Sequence, residues 1–206
     1  MSENLQDDRS QPLLIVISGP SGVGKDSVIQ GMKERDQPFH FVVTVTTRPP
    51  RPGERQGEDY FFISEAEFFH MVEGGELIEH AAVYEGYKGV PRQQVRQALA
   101  SGLDVVLRLD VQGAAAIREL YPDALLIFLV TPDETELVER LKARNTESRE
   151  VLARRAILAQ QELDRVDEFD YVVVNARGQL DEAVDTILAI ICAEHHRVHP
   201  RKVSLE

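Results

Sequence analysis

The stretch GPSGVGKDSV, residues 19–28, decides the fold, because it places glycines at 19, 22 and 24 directly before a lysine at 25. An aliphatic run, LLIVIS at 13–18, precedes it, and a stretch with helical spacing follows. Between a strand and a helix, this pattern is typical of a loop whose backbone N–H groups point at nucleotide phosphates, with the lysine as an added point charge. The candidate contacts are Gly19, Pro20, Ser21, Gly22, Val23, Gly24, Lys25, Asp26 and Ser27.

Asp26 departs from the usual form of this loop, in which a Ser or Thr hydroxyl at that position binds Mg²⁺. A carboxylate is also a hard oxygen ligand for this ion, either directly or through water. We therefore predict a working loop in which Asp26 or Ser27 helps to hold a magnesium ion.

The rest of the chain alternates short aliphatic runs with longer stretches of helical spacing. The runs lie at 13–18, 41–45, 104–109, 124–130 and 171–175. The predicted helices lie at 25–35, 91–101, 112–120, 133–143, 149–165 and 179–196. Nearly continuous apolar runs are typical of strands buried on both sides, so the pattern predicts an α/β fold with a parallel sheet covered by helices on both faces.

Two segments interrupt this alternation. Residues 46–90 begin with TTRPPRPGERQGEDY, which is rich in Pro, Gly and charge, and include the helix-like EAEFFHMV, so we expect an inserted lobe. KARNTESRE, 142–150, lies between two helices and is expected to be a flap that closes over a ligand. Residues 1–11 are expected to be a disordered leader, since they lack the hydrophobic segment of a signal peptide.

The charge balance limits the possible partners. With 23 basic and 35 acidic residues the formal net charge is −12, which argues against a broad electrostatic grip on nucleic acid or an anionic membrane. Any phosphate chemistry must therefore use a few placed cations. The single cysteine, Cys192, lies in the apolar run ILAIICA and is expected to be buried, whereas the basic tail HHRVHPRK, 195–202, is expected to be solvated.

The inserted lobe contains a second candidate phosphate site. Arg48 and Arg51 lie three residues apart on a segment stiffened by proline, which suits them to hold one phosphate together, although such a segment can equally be a solvated basic loop. Downstream, GEDYFF supplies Tyr60 and ELIEHA supplies Glu79. A carboxylate can accept two hydrogen bonds from N1 and the exocyclic amine of guanine, an edge that adenine does not present.

Together these motifs resemble those of the guanylate kinases, a family of nucleoside monophosphate kinases. From about Leu13 to His195 the chain contains, in order, GPSGVGK, TTRxPRxGE, GxDYFF, LIEHA, YxG, LDVQGA and KARNTESREVLARR. The resemblance implies a single domain over 1–206, with a three-layer P-loop nucleoside kinase core at 12–45 and 91–206, a GMP-binding lobe at 46–90 and a short lid at 143–155. It also implies transfer of the γ-phosphoryl group of ATP to GMP, with Mg²⁺ as cofactor.

The resemblance further implies roles for individual residues. Those expected to contact GMP are Thr44, Arg48, Arg51, Tyr60, Glu79, Tyr87 and Asp110. Within this set, the arginines and tyrosines would hold the phosphate, and Glu79 and Thr44 would read guanine. The catalytic residues would be Lys25, Arg144 and Arg155, and Arg140 would join them in binding ATP. Asp110, at the carboxyl end of a strand, would also orient magnesium.

Three further positions depart from the commonest family pattern. Lys88 stands where a second Tyr is frequent, Val90 where Ser or Thr is, and Arg108 where an Asp often precedes Asp110. Since Arg108 replaces a carboxylate, we expect Glu79 to carry more of the specificity for guanine.

Two alternative functions stay open at this point. One is a ribose bisphosphate phosphokinase, whose loop also contains Lys-Asp-Ser, and the other is a non-catalytic guanylate-kinase-like interaction module. We expect a cytoplasmic protein, with a mature plastid or mitochondrial form as the alternative. ATP and GMP are the expected partners of a monomer or homodimer that binds neither nucleic acid nor membranes.

Overall fold

The computed structural model describes residues 11–83, 86–143 and 149–203, which form two sheets with helices packed on them. The strands are β1 (Leu14–Ser18), β2 (Phe39–Phe41), β3 (Val45–Thr46), β4 (Phe61–Phe62), β5 (Leu77–Val83), β6 (Gly86–Pro91), β7 (Asp104–Arg108), β8 (Leu125–Val130) and β9 (Tyr171–Val174). The helices are α1 (Lys25–Lys33), α2 (Glu65–Glu73), α3 (Arg92–Ala100), α4 (Val111–Leu120), α5 (Glu134–Ala143), α6 (Arg149–Leu163) and α7 (Leu180–His195). Each of the six predicted helices is present, with ends within two residues of those expected.

β1 is the central strand of a five-stranded parallel sheet, whose spatial order is β2-β7-β1-β8-β9. All its side chains are buried, because alternate residues face helices on opposite sides of the sheet. Ile15 and Ile17 pack in a cluster with α1 and α7, whereas Leu14 and Val16 pack in a cluster with α3 and α4. The predicted α/β fold, with helices on both faces of a parallel sheet, is confirmed.

The inserted segment forms a second sheet of order β4-β3-β6-β5. In this sheet β5 and β6 form an antiparallel hairpin, and β3 pairs with β6 and β4. Helix α2 begins at a capping box between Ser64 and Glu67 and packs on the sheet through Phe68, which is buried with Val45 and Leu77. The segment therefore has a small hydrophobic core of its own.

The prediction of one strand at 41–45 is wrong, because the chain leaves the core sheet after Phe41 and enters the second sheet at Val45. Between the sheets, the Val43 N–H donates to the side-chain oxygen of Gln94 at 3.1 Å, and the Val43 carbonyl accepts from the Gln94 amide at 3.0 Å. Gln94 thus satisfies the backbone at the crossing point. A run of β-branched residues does not reveal such a change of sheet.

The C-terminal tail at 195–202 is exposed over most of its length, as predicted, but Arg201 departs from that prediction because it is buried against the core. Arg201 is 9% exposed and donates from Nε to Glu194 at 2.6 Å. Glu194, 3% exposed, also accepts from the Tyr171 hydroxyl at 2.6 Å. Burial opposes ionisation of Glu194, but hydrogen bonds from Arg201, Tyr171 and Arg197 hold its pKa at about 2. This buried ion pair holds Arg201 against α7.

Cys192 is exposed, so the prediction that it is buried is also wrong. Ile187 and Ile191 lie four residues apart on the buried face of α7, and Cys192 comes directly after them on another face. Although α7 is apolar on one side, neither it nor any other described helix is long and apolar enough to cross a membrane.

Candidate active site

Glycine shapes the loop that follows β1. Gly19 and Gly24 have positive φ angles of 137° and 97°. A Cβ at Gly19 would lie 2.4 Å from the carbonyl oxygen of Leu129, and one at Gly24 would lie 2.5 Å from the side-chain nitrogen of Asn175. Among the described residues no side chain caps α1, which begins at Lys25, so its first N–H groups are available to an anion.

Two side chains from distant elements hold this loop from beneath. The Val23 carbonyl accepts from Arg140 Nη1 at 2.9 Å and from Asn175 Nδ2 at 2.8 Å. Arg140 also donates to the Asn175 carbonyl at 2.7 Å and to Glu136 at 2.5 Å. Arg140, the predicted ATP contact, therefore supports the loop in this structure. The sequence did not predict Asn175, whose signal is a polar residue at the end of an aliphatic strand.

Lys25 lies across the loop, with its ammonium group donating to the carbonyls of Gly19 at 2.5 Å and Pro20 at 3.2 Å. Burial lowers the pKa of Lys25 to about 8, and the charges of Glu162 and Asp26 partly oppose the shift. The lysine thus lies inside the loop and is still mostly protonated at neutral pH.

Glu162, from α6, is an acidic residue of the site that the sequence did not predict. Its carboxylate accepts a hydrogen bond of 3.0 Å from the Ser21 N–H, so it contacts one of the donors that the loop would offer to a phosphate. Burial raises the pKa of Glu162, and the charge of Lys25 opposes that shift. Nothing in the local sequence distinguishes it from the other acidic residues that follow the predicted lid.

Asp26 and Arg108, two of the departures from the family pattern, contact each other. Arg108 Nη1 donates to Asp26 Oδ1 at 2.5 Å, and Nη2 donates to the carbonyl of Asp59 at 3.2 Å. Arg108 therefore connects the first turn of α1 to the inserted lobe. Ser27, the other predicted loop ligand for magnesium, is exposed and lines a neighbouring depression on the surface.

The carboxylates of Asp26 and Asp110 are suited to a magnesium ion. Both lie close enough to Lys25 for their charges to raise its pKa. Asp110 also caps α4, accepting from the Gly113 N–H at 2.9 Å. The described residues contain no group of three or more His, Cys, Asp or Glu side chains that could hold a metal. Mg²⁺ commonly takes one or two carboxylates together with phosphate oxygens and water, so this pair beside a phosphate loop fits the ion.

Arg48 is fixed by the segment that contains it. It is 5% exposed and donates from its two terminal nitrogens to the two oxygens of Glu54 at 2.7 and 2.6 Å. The hydrogen bond to Glu54 raises the pKa of Arg48 and lowers that of Glu54. Glu54 also accepts from the backbone N–H of Arg51 at 2.8 Å. The glutamate thus orders the turn that brings both arginines to the cleft.

Tyr60 lies among three cations, which we call the basic cluster: Arg48, Lys88 and Arg108. The centroid of its ring is 4.8 Å from the guanidinium carbon of Arg48, 4.5 Å from that of Arg108 and 5.2 Å from Lys88 Nζ. These distances are in the range of cation–π contacts. Side chains from the inserted segment and from the end of β7 therefore converge on one tyrosine.

Glu79 is a buried carboxyl group, 7% exposed, that packs against the start of α4. A Cβ at Gly113 would lie 3.3 Å from its carboxylate oxygens, so the glycine lets this carboxylate approach the helix closely. Burial, with a smaller effect of the charge on Asp110, raises the pKa of Glu79 to about 7. Such a carboxylate is stabilised by any ligand that donates hydrogen bonds to it.

Most of the predicted site residues line one cleft of about 530 Å³. These are Pro20, Ser21, Gly22, Gly24, Lys25, Asp26, Thr44, Arg48, Arg51, Tyr60, Glu79, Asp110 and Arg155. Tyr87 lies elsewhere, with its ring packed against Phe68 and Phe69 at centroid distances of 5.3 and 5.0 Å. Arg144 falls outside the described residues.

Known proteins resemble this chain over almost its full length. A family model described as guanylate kinase matches residues 11–194. The chain is 50% identical over 196 residues to guanylate kinase 2, chloroplastic/mitochondrial, of Oryza sativa subsp. japonica, covering 95% of this chain and 69% of that protein. It is 43% identical over 194 residues to the guanylate kinase of Caldanaerobacter subterraneus subsp. tengcongensis, covering 94% and 93%.

A solved structure agrees with these relatives. The crystal structure of guanylate kinase from Anaplasma phagocytophilum matches with a TM-score of 0.75 at 30% identity, covering 92% of this chain and 89% of that one. The family match spans the phosphate loop, the inserted segment and the helix that carries Arg155. Because sequence and fold agree over this whole range, the protein belongs to the guanylate kinase family of phosphotransferases.

Proposed function

We propose that the protein transfers the γ-phosphoryl group of ATP to GMP, giving ADP and GDP, as a step of purine nucleotide metabolism. One observation carries the proposal: the phosphate loop with Lys25 and the buried Glu79 line the same cleft as the basic cluster. The loop with Lys25 would bind a triphosphate, and Glu79 would accept hydrogen bonds from a base. The basic cluster would neutralise the phosphates of the two nucleotides.

The donor half of the proposal rests on the loop and Lys25. The backbone N–H groups would bind phosphate oxygens, and Lys25 would reach the β and γ phosphates. The pKa of Lys25, which burial lowers to about 8, would rise when the triphosphate binds, because an anion favours the charged form. The Ser21 N–H, which now donates to Glu162, would exchange that carboxylate for a phosphate oxygen.

The acceptor half rests on Glu79 and on the cations around Tyr60. Arg48, Arg51 and Tyr60 would hold the phosphate of GMP, as bidentate guanidinium groups are suited to do. Glu79 would accept hydrogen bonds from N1 and the exocyclic amine of guanine, with Thr44 beside it in the cleft. Tyr87 would have to leave its packing in the inserted lobe to contact GMP.

Magnesium is the proposed cofactor, with Asp26 and Asp110 as its protein ligands beside the phosphate oxygens of the nucleotide. When bound, the ion would offset negative charge on the transferring phosphoryl group. Arg108, which is paired with Asp26, would hold that carboxylate in place beside the ion.

The transfer itself needs no general base, because the phosphate of GMP is already a nucleophile. Positioning and charge neutralisation would supply most of the acceleration. Lys25, Arg155 and the predicted Arg144 would offset the charge that develops between donor and acceptor. Closure of the proposed lid at 143–155 would exclude water, which would otherwise accept the phosphoryl group.

We propose one domain over 1–206, with a leader at 1–11, the core at 12–45 and 91–206, the GMP-binding lobe at 46–90 and the lid at 143–155 within the core. We propose a cytoplasmic location, with a plastid or mitochondrial form as the alternative, because one relative is named as chloroplastic/mitochondrial. The protein would act as a monomer or homodimer.

An assay of ADP release with different acceptors tests the proposal. The protein, ATP and magnesium are incubated with GMP, dGMP, AMP, UMP or ribose bisphosphate, and the assay is repeated with Glu79→Ala. We expect turnover with guanine nucleotides that the substitution abolishes. Turnover with ribose bisphosphate alone would favour the phosphokinase alternative, and no turnover with any acceptor would favour a non-catalytic module.

A further inference from the structure

Lys88 is a cation of the cleft that neither phosphate-binding motif includes. It belongs to β6, and its ammonium nitrogen lies 3.5 Å from the Tyr60 hydroxyl and 5.2 Å from the centroid of the Tyr60 ring. The other two members of the basic cluster approach the same ring at 4.8 and 4.5 Å. Three positive side chains thus surround one neutral tyrosine.

The two arginines of the basic cluster are already paired with protein groups. Both terminal nitrogens of Arg48 donate to Glu54, and one of them also donates to the Pro49 carbonyl. Arg108 donates to the carboxylate of Asp26 and to the carbonyl of Asp59. Each arginine is therefore paired with a carboxylate, and part of its hydrogen-bonding capacity is used within the protein.

Lys88 differs from both arginines, because within the described residues its only polar contact is the long hydrogen bond to Tyr60. It also lies close enough to Lys25 for its charge to lower the pKa of that residue. Two ammonium groups that repel each other in one cleft, with no carboxylate among the described residues paired to Lys88, form a site that an anion would stabilise.

We propose that the ammonium group of Lys88 binds the phosphate group of the acceptor nucleotide directly, where that nucleotide approaches Lys25. The inference rests on the proposed function, since it assigns a residue to the phosphate of GMP. Lys88 would act through its charge, in addition to the hydrogen bonds expected from Arg48 and Arg51. Removal of the ammonium group should then weaken only ligands that carry a phosphate.

Calorimetric titration of GMP and of guanosine tests this role, because the two ligands share a base and differ in the phosphate. For Lys88→Met we expect GMP to bind about 10- to 100-fold more weakly, as for loss of one hydrogen bond to a charged group, and guanosine to bind as it does to the unchanged protein. Lys88→Arg keeps the charge and should retain most of the affinity for GMP.

Lys33→Met is the matched control, because Lys33 also lies over an aromatic ring, that of Phe41 at 5.5 Å, but outside the main cleft. It should leave the affinity for both ligands unchanged. An equal loss for GMP and guanosine in Lys88→Met, or no loss for either, would overturn the inference. GDP formation by the unchanged protein is measured alongside and tests the proposed function separately from the role of Lys88.

Discussion

Replacing Glu79 by glutamine should make the protein more stable at high pH while weakening its binding of guanine. Burial, together with the charge of Asp110, raises the pKa of Glu79 from its ordinary 4.5 to about 7. Between these two pH values the folded protein therefore holds a proton that the unfolded chain has released. The native state loses stability as the pH rises through this window.

The size of the effect follows from the same two pKa values. At about 1.4 kcal/mol for each pH unit between 4.5 and about 7, ionised Glu79 lowers the free energy of unfolding by ~3 kcal/mol above pH 7. Glutamine has a similar shape and stays neutral. Glu79→Gln should thus match the unchanged protein in stability near pH 4.5 and exceed it by ~3 kcal/mol at pH 8.

Urea unfolding at pH 5 and at pH 8, followed by circular dichroism, measures this difference. Glu76→Gln is a suitable control, because Glu76 is an exposed glutamate close by in the sequence, and its substitution should change stability little at either pH. The glutamine amide would face the N–H donors of guanine, so GMP should bind about 10- to 100-fold more weakly. A stability difference that is the same at both pH values would refute the account of Glu79.

Four other substitutions test separate parts of the site and fold. In a double-mutant cycle on kcat/KM, Asp26→Ala and Arg108→Ala should be coupled by about 1 kcal/mol, and additive effects would contradict the role of their ion pair. Asp26→Ala should also shift the magnesium dependence of the rate, and an unchanged dependence would contradict its role as a ligand of the ion. Arg155→Ala should lower kcat by about 10²–10³-fold with little change in the KM for GMP, and a change confined to KM would count against its action on the transferring group. Arg201→Met removes one of the two cations that pair with Glu194 and leaves it the hydrogen bonds from Tyr171 and Arg197, so thermal unfolding should show a loss of about 1.5–3 kcal/mol with an unchanged KM for GMP; a loss below about 0.5 kcal/mol would show that the buried pair contributes little.

The parts of the site that sequence predicted are those encoded within a few residues. The loop from Gly19 to Lys25 shows its chemistry in its spacing, and it lies between a strand and a helix as predicted. The predicted acceptor-side residues Arg48, Arg51 and Glu79 also line the cleft, as does Tyr60. Their short motifs are carried by the inserted segment, whose composition sets it apart from the core.

The residues that sequence did not predict act over long separations along the chain. Glu162 and Ser21 are 141 residues apart, and Asn175 and Val23 are 152 residues apart. No local pattern connects such pairs, because parallel strands are joined through helices and only the folded sheet brings their ends together. The burial of Arg201 was not predicted for the same reason. Its partner Glu194 is near in sequence, but its burial depends on residues that are distant in the chain.

The pairing of Asp26 with Arg108 explains two unusual residues at once. Taken singly, each residue departs from the commonest family pattern, because Asp26 replaces a Ser or Thr of the loop and Arg108 replaces an Asp. In the structure they form one ion pair at the mouth of the loop, with an N–O distance of 2.5 Å. The carboxylate in the loop is thus balanced by the guanidinium that replaces a carboxylate at the end of β7.

Transfer of label from ATP carrying a radioactive γ-phosphate tests the central claim most directly, because it follows the phosphoryl group itself. With GMP and magnesium present, the account predicts that the label appears in GDP, that little appears as inorganic phosphate, and that Lys25→Met abolishes the transfer. Label found only in inorganic phosphate, or retained in ATP, would contradict the assignment of this cleft as a site for two nucleotides.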